Sequence, residues 1–255
     1  MTEETVREIG GYSTRLLQAG LGPDVIWLHD TLGNLWTPGH EALSRGAHVI
    51  APTLPGFDDS TNLDGIDEPE DVVFWLLDLL SELRLDRPAV LGCGLGGWMA
   101  AELAVRYPER VGRLILVDAY GLHVDGALPA DEFALPTPAL RPLLFREPDG
   151  ALALQWLPNV VPPERAAGVL HARVAAARLA WQFPYSPKLR GRLRRANMPS
   201  LILWGAHDGL VSTAHARAYA DELPRSRSVV VESAAHYPYI EEPDRFADEV
   251  RRFIS

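Results

Sequence analysis

The sequence predicts an α/β protein with a mostly parallel central sheet and helices on both faces. Short apolar runs alternate with segments that have the 3.6-residue periodicity of amphipathic helices. Hydrophobic residues make up 47% of the 255 residues, and α/β chains of this length often form one core. We therefore expect a single domain over residues 1–255.

The predicted elements follow in chain order. A turn at Gly10-Gly11 indicates an opening hairpin. The strand candidates after it are residues 24–28, 47–51, 89–91, 114–117, 200–203 and 228–231. The helical patterns between and after them are residues 70–83, 97–107, 214–223 and 243–254.

Residues 122–196 interrupt this alternation. The segment is dense in proline, leucine and alanine, and it is too apolar to remain solvated as a linker. We expect a helical insertion over the sheet edge. Its aromatic residues are Phe133, Phe145, Trp156, Trp181, Phe183 and Tyr185.

Composition and charge exclude several classes of protein. A net charge of −10 disfavours binding to nucleic acid or to an anionic membrane, because both need a cationic surface. No apolar run approaches the roughly 18 residues of a membrane span, and the first residues lack a signal region. Cys93 is the single cysteine, which excludes an internal disulfide framework. We expect a cytoplasmic protein.

The turn after residues 89–91 allows two interpretations. Its glycines match the dinucleotide fingerprint as Gly92-x-Gly94-x-x-Gly97, and Asp118 follows about 20 residues later, where a ribose-binding acid belongs. A dinucleotide fold, however, opens with this turn on its first strand, whereas about three strands precede it here. The insertion also comes directly after Asp118. The position in the chain argues against nucleotide binding.

The chain resembles the α/β-hydrolase superfamily over nearly its whole length. The resemblance rests on the order and spacing of five separated motifs. They are Leu28-His29, Ala51-Pro52-Thr53-Leu54-Pro55-Gly56-Phe57, the glycine-rich turn, Leu203-Trp204-Gly205-Ala206-His207-Asp208, and Ala235-His236-Tyr237-Pro238 with Glu242-Pro243. The resemblance implies the α/β-hydrolase fold, with residues 122–196 as the lid over the substrate pocket.

In this family the turn reads G-x-S-x-G and presents a nucleophilic serine. Gly92 and Gly96 match the flanking glycines, and the serine position is Gly94. Glycine has no side chain to acylate, so the serine ester of the family cannot form on this residue. Cys93 lies one position early, and as the nucleophile it would place Leu91 and Leu95 in a crowded turn. We favour a buried, inert cysteine, which behaves as a small hydrophobe.

The resemblance implies that the other members of the catalytic triad remain. Asp208 matches the acid and His236 the base, and an acid that orients an imidazole makes it a general base. Alternatively, both are idle remnants that are hydrogen-bonded to each other. Asp118 is a second candidate for the acid, although a capping or loop role is commoner.

The oxyanion loop departs from the family pattern, which usually has His-Gly where this chain has His29-Asp30-Thr31. The resemblance assigns the oxyanion amides to Thr31 and Leu95. Asp30 allows several interpretations. Its carboxylate disfavours an anion there, serves as a second base or hydrogen-bond acceptor, or faces solvent and caps the loop.

The aromatic lid, together with Trp36 and Trp98 near the expected cleft, predicts an apolar pocket for a small or medium ligand. Within the lid, Phe133 and Trp181 are the pocket candidates. The scattered histidines form no H-E-x-x-H motif, so we expect no metal, and the chain indicates no other cofactor.

Three functions are consistent with these observations. The first is an enzyme that acts on an apolar carbonyl, ester or lactone compound, with His236 and Asp208 as general base and no serine ester. The second is a noncatalytic ligand-binding protein. The third is a serine esterase or C-C hydrolase inactivated at position 94.

Overall fold

An eight-stranded sheet forms the centre of the molecule, for which the computed structural model describes residues 2–58, 63–181 and 184–255. The strand order is β1-β2-β4-β3-β5-β6-β7-β8. The strands are β1 (Glu3–Ile9), β2 (Tyr12–Ala19), β3 (Asp24–Leu28), β4 (His48–Pro52), β5 (Ala89–Cys93), β6 (Arg113–Val117), β7 (Ser200–Gly205) and β8 (Ser226–Val231).

The hairpin β1-β2 joins the sheet antiparallel to β4, and every pairing from β4 to β8 is parallel. The residues of β5 and β7 are all buried, as expected for central strands covered on both faces. Because the parallel strands share one direction, the loops at their carboxyl ends meet at one edge of the sheet, where ligands of open α/β sheets bind.

Helices cover both faces of the sheet. They are α1 (Pro38–Leu43), α2 (Pro69–Glu82), α3 (Gly94–Arg106), α4 (Thr137–Leu144), α5 (Ala151–Trp156), α6 (Pro163–Ala180), α7 (Leu189–Arg192), α8 (Thr213–Glu222), α9 (Pro238–Glu241) and α10 (Pro243–Ile254). In the described part of the chain, no helix has the length and apolar character needed to span a membrane.

The predicted fold class is confirmed: the sheet is mostly parallel, carries helices, and opens with the hairpin turn at Gly10-Gly11. The main difference lies at the glycine-rich turn, where α3 begins at Gly94 instead of residue 97. A positive φ of 48° at Gly94 turns the chain from strand to helix without an intervening loop. The short helix α1 has too few residues to show a helical period, and the sequence did not indicate it.

Between β6 and β7 the chain forms α4 to α7, so the described part of residues 122–196 contains helices, as the apolar composition predicted. Phe183 lies outside the described residues. The longest helix of this insertion, α6, buries four alanines and one leucine. They are Ala172, Ala175, Ala176, Leu179 and Ala180.

Glycines at the strand-to-helix turn allow β3, β5 and α3 to approach at backbone distance. A Cβ on Gly96 would lie 2.4 Å from the carbonyl oxygen of Leu28 and 2.5 Å from that of His29. A Cβ on Gly92 would lie 2.2 Å from the carbonyl oxygen of Gly96. Since these neighbours are backbone atoms of buried elements, they cannot move aside as a flexible side chain would.

We expect Gly96→Ala to lower the free energy of unfolding by about 3 kcal/mol, through overpacking against fixed backbone. Gly168 lies within α6 with no atom near the position of a Cβ, so Gly168→Ala serves as the matched control and should raise stability by about 0.5–1 kcal/mol. Urea unfolding of both variants measures the difference. Equal effects of the two substitutions would contradict this account of the turn.

Candidate active site

Four polar residues and a glycine meet at the carboxyl edge of the parallel strands. Asp30 follows β3, Gly94 begins α3 after β5, Asp118 follows β6, Asp208 follows β7, and His236 follows β8. Asp118 is fully buried, and the exposed fraction of Asp30, Asp208 and His236 is 2%, 7% and 1%. The candidate residues predicted from the sequence are therefore brought together in a buried cluster.

His236 and Asp208 form a directly hydrogen-bonded pair. The Nδ1 atom of His236 lies 2.8 Å from Oδ2 of Asp208. The other carboxylate oxygen, Oδ1, accepts hydrogen bonds from the amides of Leu210 at 2.8 Å and Val211 at 2.9 Å. The backbone of the loop thus fixes the carboxylate, and the carboxylate fixes the orientation of the imidazole.

Asp118 lies beside this pair, with a carboxylate oxygen within 4.8 Å of polar atoms of Asp208 and His236. Burial raises the pKa of the Asp118 carboxyl well above its ordinary value, and the charge of Asp208 raises it further. Its Oδ1 accepts from the amide of Gly205 at 2.9 Å, whereas its buried Oδ2 has no hydrogen-bond partner among the described residues. A buried carboxylate oxygen without a partner is costly when charged, which is the physical cause of the raised pKa.

Asp118, Asp208 and His236 also present metal-ligating atoms within 4.8 Å of one another. Asp208 and His236 stand at the hydrogen-bond distance of a directly paired acid and base.

Asp30 binds the opposite side of the imidazole. Its Oδ2 lies 3.1 Å from Nε2 of His236, and its Oδ1 accepts a hydrogen bond from the amide of Leu95 at 2.8 Å. The interpretation of Asp30 as a solvent-facing cap is therefore wrong, because the side chain points inward to two partners. The amide of Leu95, expected to hold an oxyanion, holds the Asp30 carboxylate in this structure.

The backbone of Asp30 is fixed by the preceding residue. Nε2 of His29 accepts from the amide of Leu54 at 3.0 Å, so its Nδ1 carries the proton and donates to the carbonyl oxygen of Asp30 at 2.7 Å. Burial lowers the pKa of His29, which keeps the ring neutral and this pattern intact. His29, which directly follows β3, is a positioning residue.

Gly94 leaves the space that the Asp30 carboxylate fills. A Cβ on Gly94 would lie 2.0 Å from Oδ1, 2.2 Å from Cγ and 2.6 Å from Oδ2 of Asp30. No side chain fits at position 94 while Asp30 keeps this conformation. Asp30 and Gly94 are therefore parts of one arrangement.

The carboxylates determine the charge of His236. Burial disfavours the imidazolium, but the charges and hydrogen bonds of Asp208 and Asp30 outweigh this and hold the pKa of His236 well above its ordinary value. At neutral pH the site therefore contains an imidazolium between two carboxylates.

Cys93 does not join this cluster through hydrogen bonds to the acid or the base among the described residues. It ends β5 with 1% exposure, and burial raises the pKa of its thiol well above the ordinary value. A thiol in this environment is a poor nucleophile, because the thiolate is the reactive form. These observations support the prediction of an inert cysteine.

Glu132 is a site residue that the sequence did not reveal. Its Oε1 accepts from the hydroxyl of Tyr120 at 2.7 Å, and its Oε2 accepts from the hydroxyl of Thr31 at 2.9 Å. Burial raises the pKa of Glu132 to about 7, with a further contribution from the charge of Asp30. A glutamate in an irregular part of the insertion carries no motif, so only the fold brings it to the site.

An apolar cavity lies beneath the insertion, with Thr31, Glu132 and Tyr237 on its wall. Most of its lining comes from the insertion, including Phe133, Leu140, Leu144, Trp156, Val169 and Ala176. The prediction of an apolar pocket lined by Phe133 agrees with this cavity.

Three other predicted pocket residues lie elsewhere. Trp98 is a buried residue of α3, and its Nε1 donates to Oε1 of Glu102 in the same helix at 3.3 Å. Trp36 donates to Glu41 at 3.1 Å, and Trp181 is 72% exposed. None of the three tryptophans is among the described residues that line the cavity. Aromatic character alone could not distinguish packing from pocket positions.

Glu132 should give the protein a measurable pH dependence of stability. Its pKa is about 7 when folded, against an ordinary value of 4.5, so between these values the folded state binds more protons than the unfolded state. The contribution to the free energy of unfolding is present below about pH 4.5 and is lost as pH rises to about 7, with a slope of up to about 1.4 kcal/mol per pH unit.

Glu132→Gln should remove this slope, because glutamine does not titrate. Urea unfolding of both proteins between pH 5 and 8 measures the difference. If the free energy of unfolding of the two proteins changed with pH in the same way, the assignment of this slope to Glu132 would be wrong.

A double-mutant cycle tests the contact between Gly94 and Asp30. We expect Gly94→Ala to cost about 3 kcal/mol of stability, from the collision with Asp30 and the strain of a positive φ. In an Asp30→Gly background the collision is absent. Gly94→Ala should then cost only the strain of the positive φ, about 1 kcal/mol. The coupling of about 2 kcal/mol is measured by urea unfolding of the four proteins. Equal costs in both backgrounds would show that the two side-chain positions do not compete.

Comparison with known proteins identifies the family. Residues 20–249 match the model of the alpha/beta hydrolase family. The chain is 29% identical over 259 residues to a pimeloyl-[acyl-carrier protein] methyl ester esterase of Aeromonas hydrophila, with 92% of this chain and 96% of the esterase covered. It is 35% identical over 119 residues to a 2-hydroxy-6-oxo-2,4-heptadienoate hydrolase of Pseudomonas putida, which covers 44% of this chain and 43% of that hydrolase.

Solved structures show the same fold. A meta-cleavage product hydrolase from Pseudomonas fluorescens superposes with a TM-score of 0.81 at 21% identity, covering 98% of this chain and 96% of that chain. A serine hydrolase involved in carbazole degradation superposes with a TM-score of 0.79 at 22% identity, covering 100% and 99%. The chain belongs to the alpha/beta hydrolase family.

Proposed function

We propose that this protein is a hydrolase for small to medium apolar carbonyl, ester or lactone compounds, and that it works by proton transfer without a serine ester. Gly94 stands where serine hydrolases of this fold carry their nucleophile. The Asp208–His236 pair, extended by Asp30, is then the proton-transfer unit. The insertion forms a lid, and its cavity receives the apolar part of the substrate.

The observation that carries this proposal is the hydrogen-bonded chain Asp208–His236–Asp30, with distances of 2.8 and 3.1 Å on the two sides of the imidazole. A buried charged chain is expensive to maintain, since each ion loses its hydration. Perturbed ionisable groups of this kind concentrate at functional sites. The neighbouring apolar cavity supplies a place for a ligand.

The hydrogen-bonded series Asp208–His236–Asp30 offers both an acid and a base. The imidazolium of His236 can donate a proton to a leaving group, and the carboxylate of Asp30 can accept one from water or from a C-H or O-H group. Asp208 keeps its hydrogen bond to Nδ1 during the transfer and stabilises the charge on the ring. A reaction of this kind needs no side chain at position 94.

The relatives are consistent with hydrolysis of an ester or a carbon-carbon bond. One is described as a methyl ester esterase and another as a hydrolase of a heptadienoate. Both descriptions name carbonyl compounds, as this proposal does.

One observation favours a noncatalytic binding protein as the second candidate. The side chains of His236 and Asp30 are 0% and 1% exposed, and Asp30 already occupies the amide of Leu95. A protein that binds a ligand in the cavity and does not turn it over would also have a closed, fully paired cluster. Tight binding of a ligand with no product after long incubation would favour this candidate.

The third candidate is a serine hydrolase inactivated at position 94, and restoring its serine meets a steric obstacle. Because the Asp30 carboxylate fills the space at position 94, a serine introduced there collides with it. An isolated loss of serine would leave that space empty, so this candidate is less consistent with the site than the other two.

We expect His236→Gln and Asp208→Asn to lower kcat/KM by at least about 100-fold on whichever apolar ester, lactone or vinylogous diketone the protein turns over. The first substitution removes the group that transfers the proton, and the second removes the carboxylate that orients this group and stabilises its charge. The matched control is His171→Gln on the exposed side of α6, which should leave kcat/KM unchanged. Circular dichroism checks that each variant is folded. Full activity of the folded His236→Gln protein would refute the proposal.

A further inference from the structure

Two residues on the wall of the apolar cavity carry hydrogen-bond donors that have no partner in the described part of the chain. The donors are the hydroxyl of Tyr237 and Nε1 of Trp156, and both atoms are buried. We propose that these two groups bind the oxygen atoms of the ligand, and that the Tyr237 hydroxyl donates to the carbonyl oxygen at the reacting end. The inference rests on the proposed function, because it takes a carbonyl compound as the occupant of the cavity.

The first argument is the cost of a buried polar group. Removing a hydroxyl or an indole N–H from water without a hydrogen bond is unfavourable, so such groups in folded proteins are nearly always paired. The other buried polar side chains on this wall follow the rule, since Thr31 donates to Glu132 and Glu132 accepts from two hydroxyls. A ligand in the cavity would supply the hydrogen bonds that Tyr237 and Trp156 lack.

The second argument is the kind of group that the ligand must carry. An indole N–H only donates, whereas a hydroxyl donates and accepts. Burial raises the pKa of the Tyr237 hydroxyl well above its ordinary value, and the charges of Asp30 and Glu132 raise it further, so the hydroxyl keeps its proton. The complementary ligand therefore carries acceptor oxygens, as ketones, esters and lactones do. A pure hydrocarbon would leave both donors unpaired.

The third argument is the position of Tyr237 beside the proton-transfer residues. Tyr237 directly follows His236, and the centroids of the two rings are 5.0 Å apart. Its ring also packs edge-on against Phe145 and Tyr239, with centroid separations of 5.4 and 5.6 Å. These contacts fix the ring of Tyr237 next to the imidazole. A carbonyl group that accepts from its hydroxyl therefore lies near His236.

The fourth argument is the loss of the usual donor. A carbonyl group under attack needs a hydrogen-bond donor for the negative charge that develops on its oxygen. The amide of Leu95, which the family resemblance assigns to this role, donates to the Asp30 carboxylate instead. The hydroxyl of Tyr237 is an uncommitted donor next to His236, and it takes over this role.

Two matched compounds test the hydrogen bond without requiring turnover. The first is 2-octanone, a ketone labelled with ¹³C at its carbonyl carbon. The second is 2-methyl-1-octene, in which a CH₂ group replaces the carbonyl oxygen. Tyr237→Phe should raise the Kd of 2-octanone at least about 5-fold, the equivalent of one neutral hydrogen bond, and leave the Kd of the alkene unchanged. Measuring both compounds with both proteins removes the difference in their hydrophobicity.

Nuclear magnetic resonance on the 255-residue protein measures both donors. The carbonyl ¹³C signal of bound 2-octanone should lie downfield of its position in an apolar solvent, and this shift should decrease in Tyr237→Phe. The indole N–H signal of Trp156, identified by its absence from Trp156→Phe, should move downfield when the ketone binds but not when the alkene binds. Tyr107→Phe is the matched control, at the end of α3 and outside the cavity lining, and should leave both Kd values unchanged.

Stability separates a ligand-binding role of the Tyr237 hydroxyl from a structural one. A buried hydroxyl without a partner does not stabilise the folded state, so the Tm of Tyr237→Phe should be equal to or above that of the unsubstituted protein. On a substrate that the protein turns over, the same variant should lower kcat about 100-fold, the effect of removing one donor to a developing oxyanion. A lower Tm with an unchanged Kd for 2-octanone would assign the hydroxyl a structural role and refute the inference.

Equal Kd values of 2-octanone for the unsubstituted and Tyr237→Phe proteins would overturn the inference, as would the absence of any binding of 2-octanone. In both cases, turnover of an ester or lactone that depends on His236 would leave the proposed hydrolase in place. If 2-octanone binds through Tyr237 but no ester, lactone or diketone is turned over, the proposed function fails. The noncatalytic binding protein then remains, with these two donors as its ligand contacts.

Discussion

The contact between the Asp30 carboxylate and the imidazole of His236 is the interaction on which the rest of the site depends. It joins the loop after β3 to the loop after β8 across the beginning of α3. The contact adds to the effect of Asp208 in raising the pKa of His236, occupies the amide of Leu95 and requires the absence of a side chain at Gly94. Asp208 binds the other nitrogen of the ring, and Asp118 lies beside it.

The main elements of the fold could be predicted from the sequence, because they depend on patterns that are local in the chain. Residues 24–28 were predicted as a strand and residues 243–254 as a helix, and both match β3 and α10. Apolar periodicity determines such elements directly. The triad positions Asp208 and His236 could also be identified, since they lie in motifs with fixed order and spacing.

The arrangement of Asp30 could not be predicted, because it depends on a contact between residues that are 64 positions apart in the chain. A carboxylate after β3 and a glycine after β5 looked like two separate departures from the family pattern. Only the close approach of the two strands, which Gly96 permits, shows that one residue fills the space left by the other. Glu132 was missed for the same reason, since its partners Thr31 and Tyr120 lie on other loops.

The cavity and the polar cluster are adjacent but distinct in character. Apolar side chains of the insertion form most of the cavity, whereas backbone amides and carboxylates hold the cluster. Thr31 and Glu132 connect the two, because they line the cavity and are hydrogen-bonded to each other beside Asp30. A ligand in the cavity would therefore meet a polar boundary on the side of His236.

The steric exclusion between positions 30 and 94 also means that the two positions cannot be varied independently. A serine at position 94 and the present conformation of Asp30 exclude each other, since the two side chains need the same space. A library of variants that changes position 94 alone therefore samples only proteins in which the Asp30 carboxylate has been displaced. Variants at position 94 that keep the site intact need a smaller residue at position 30 as well.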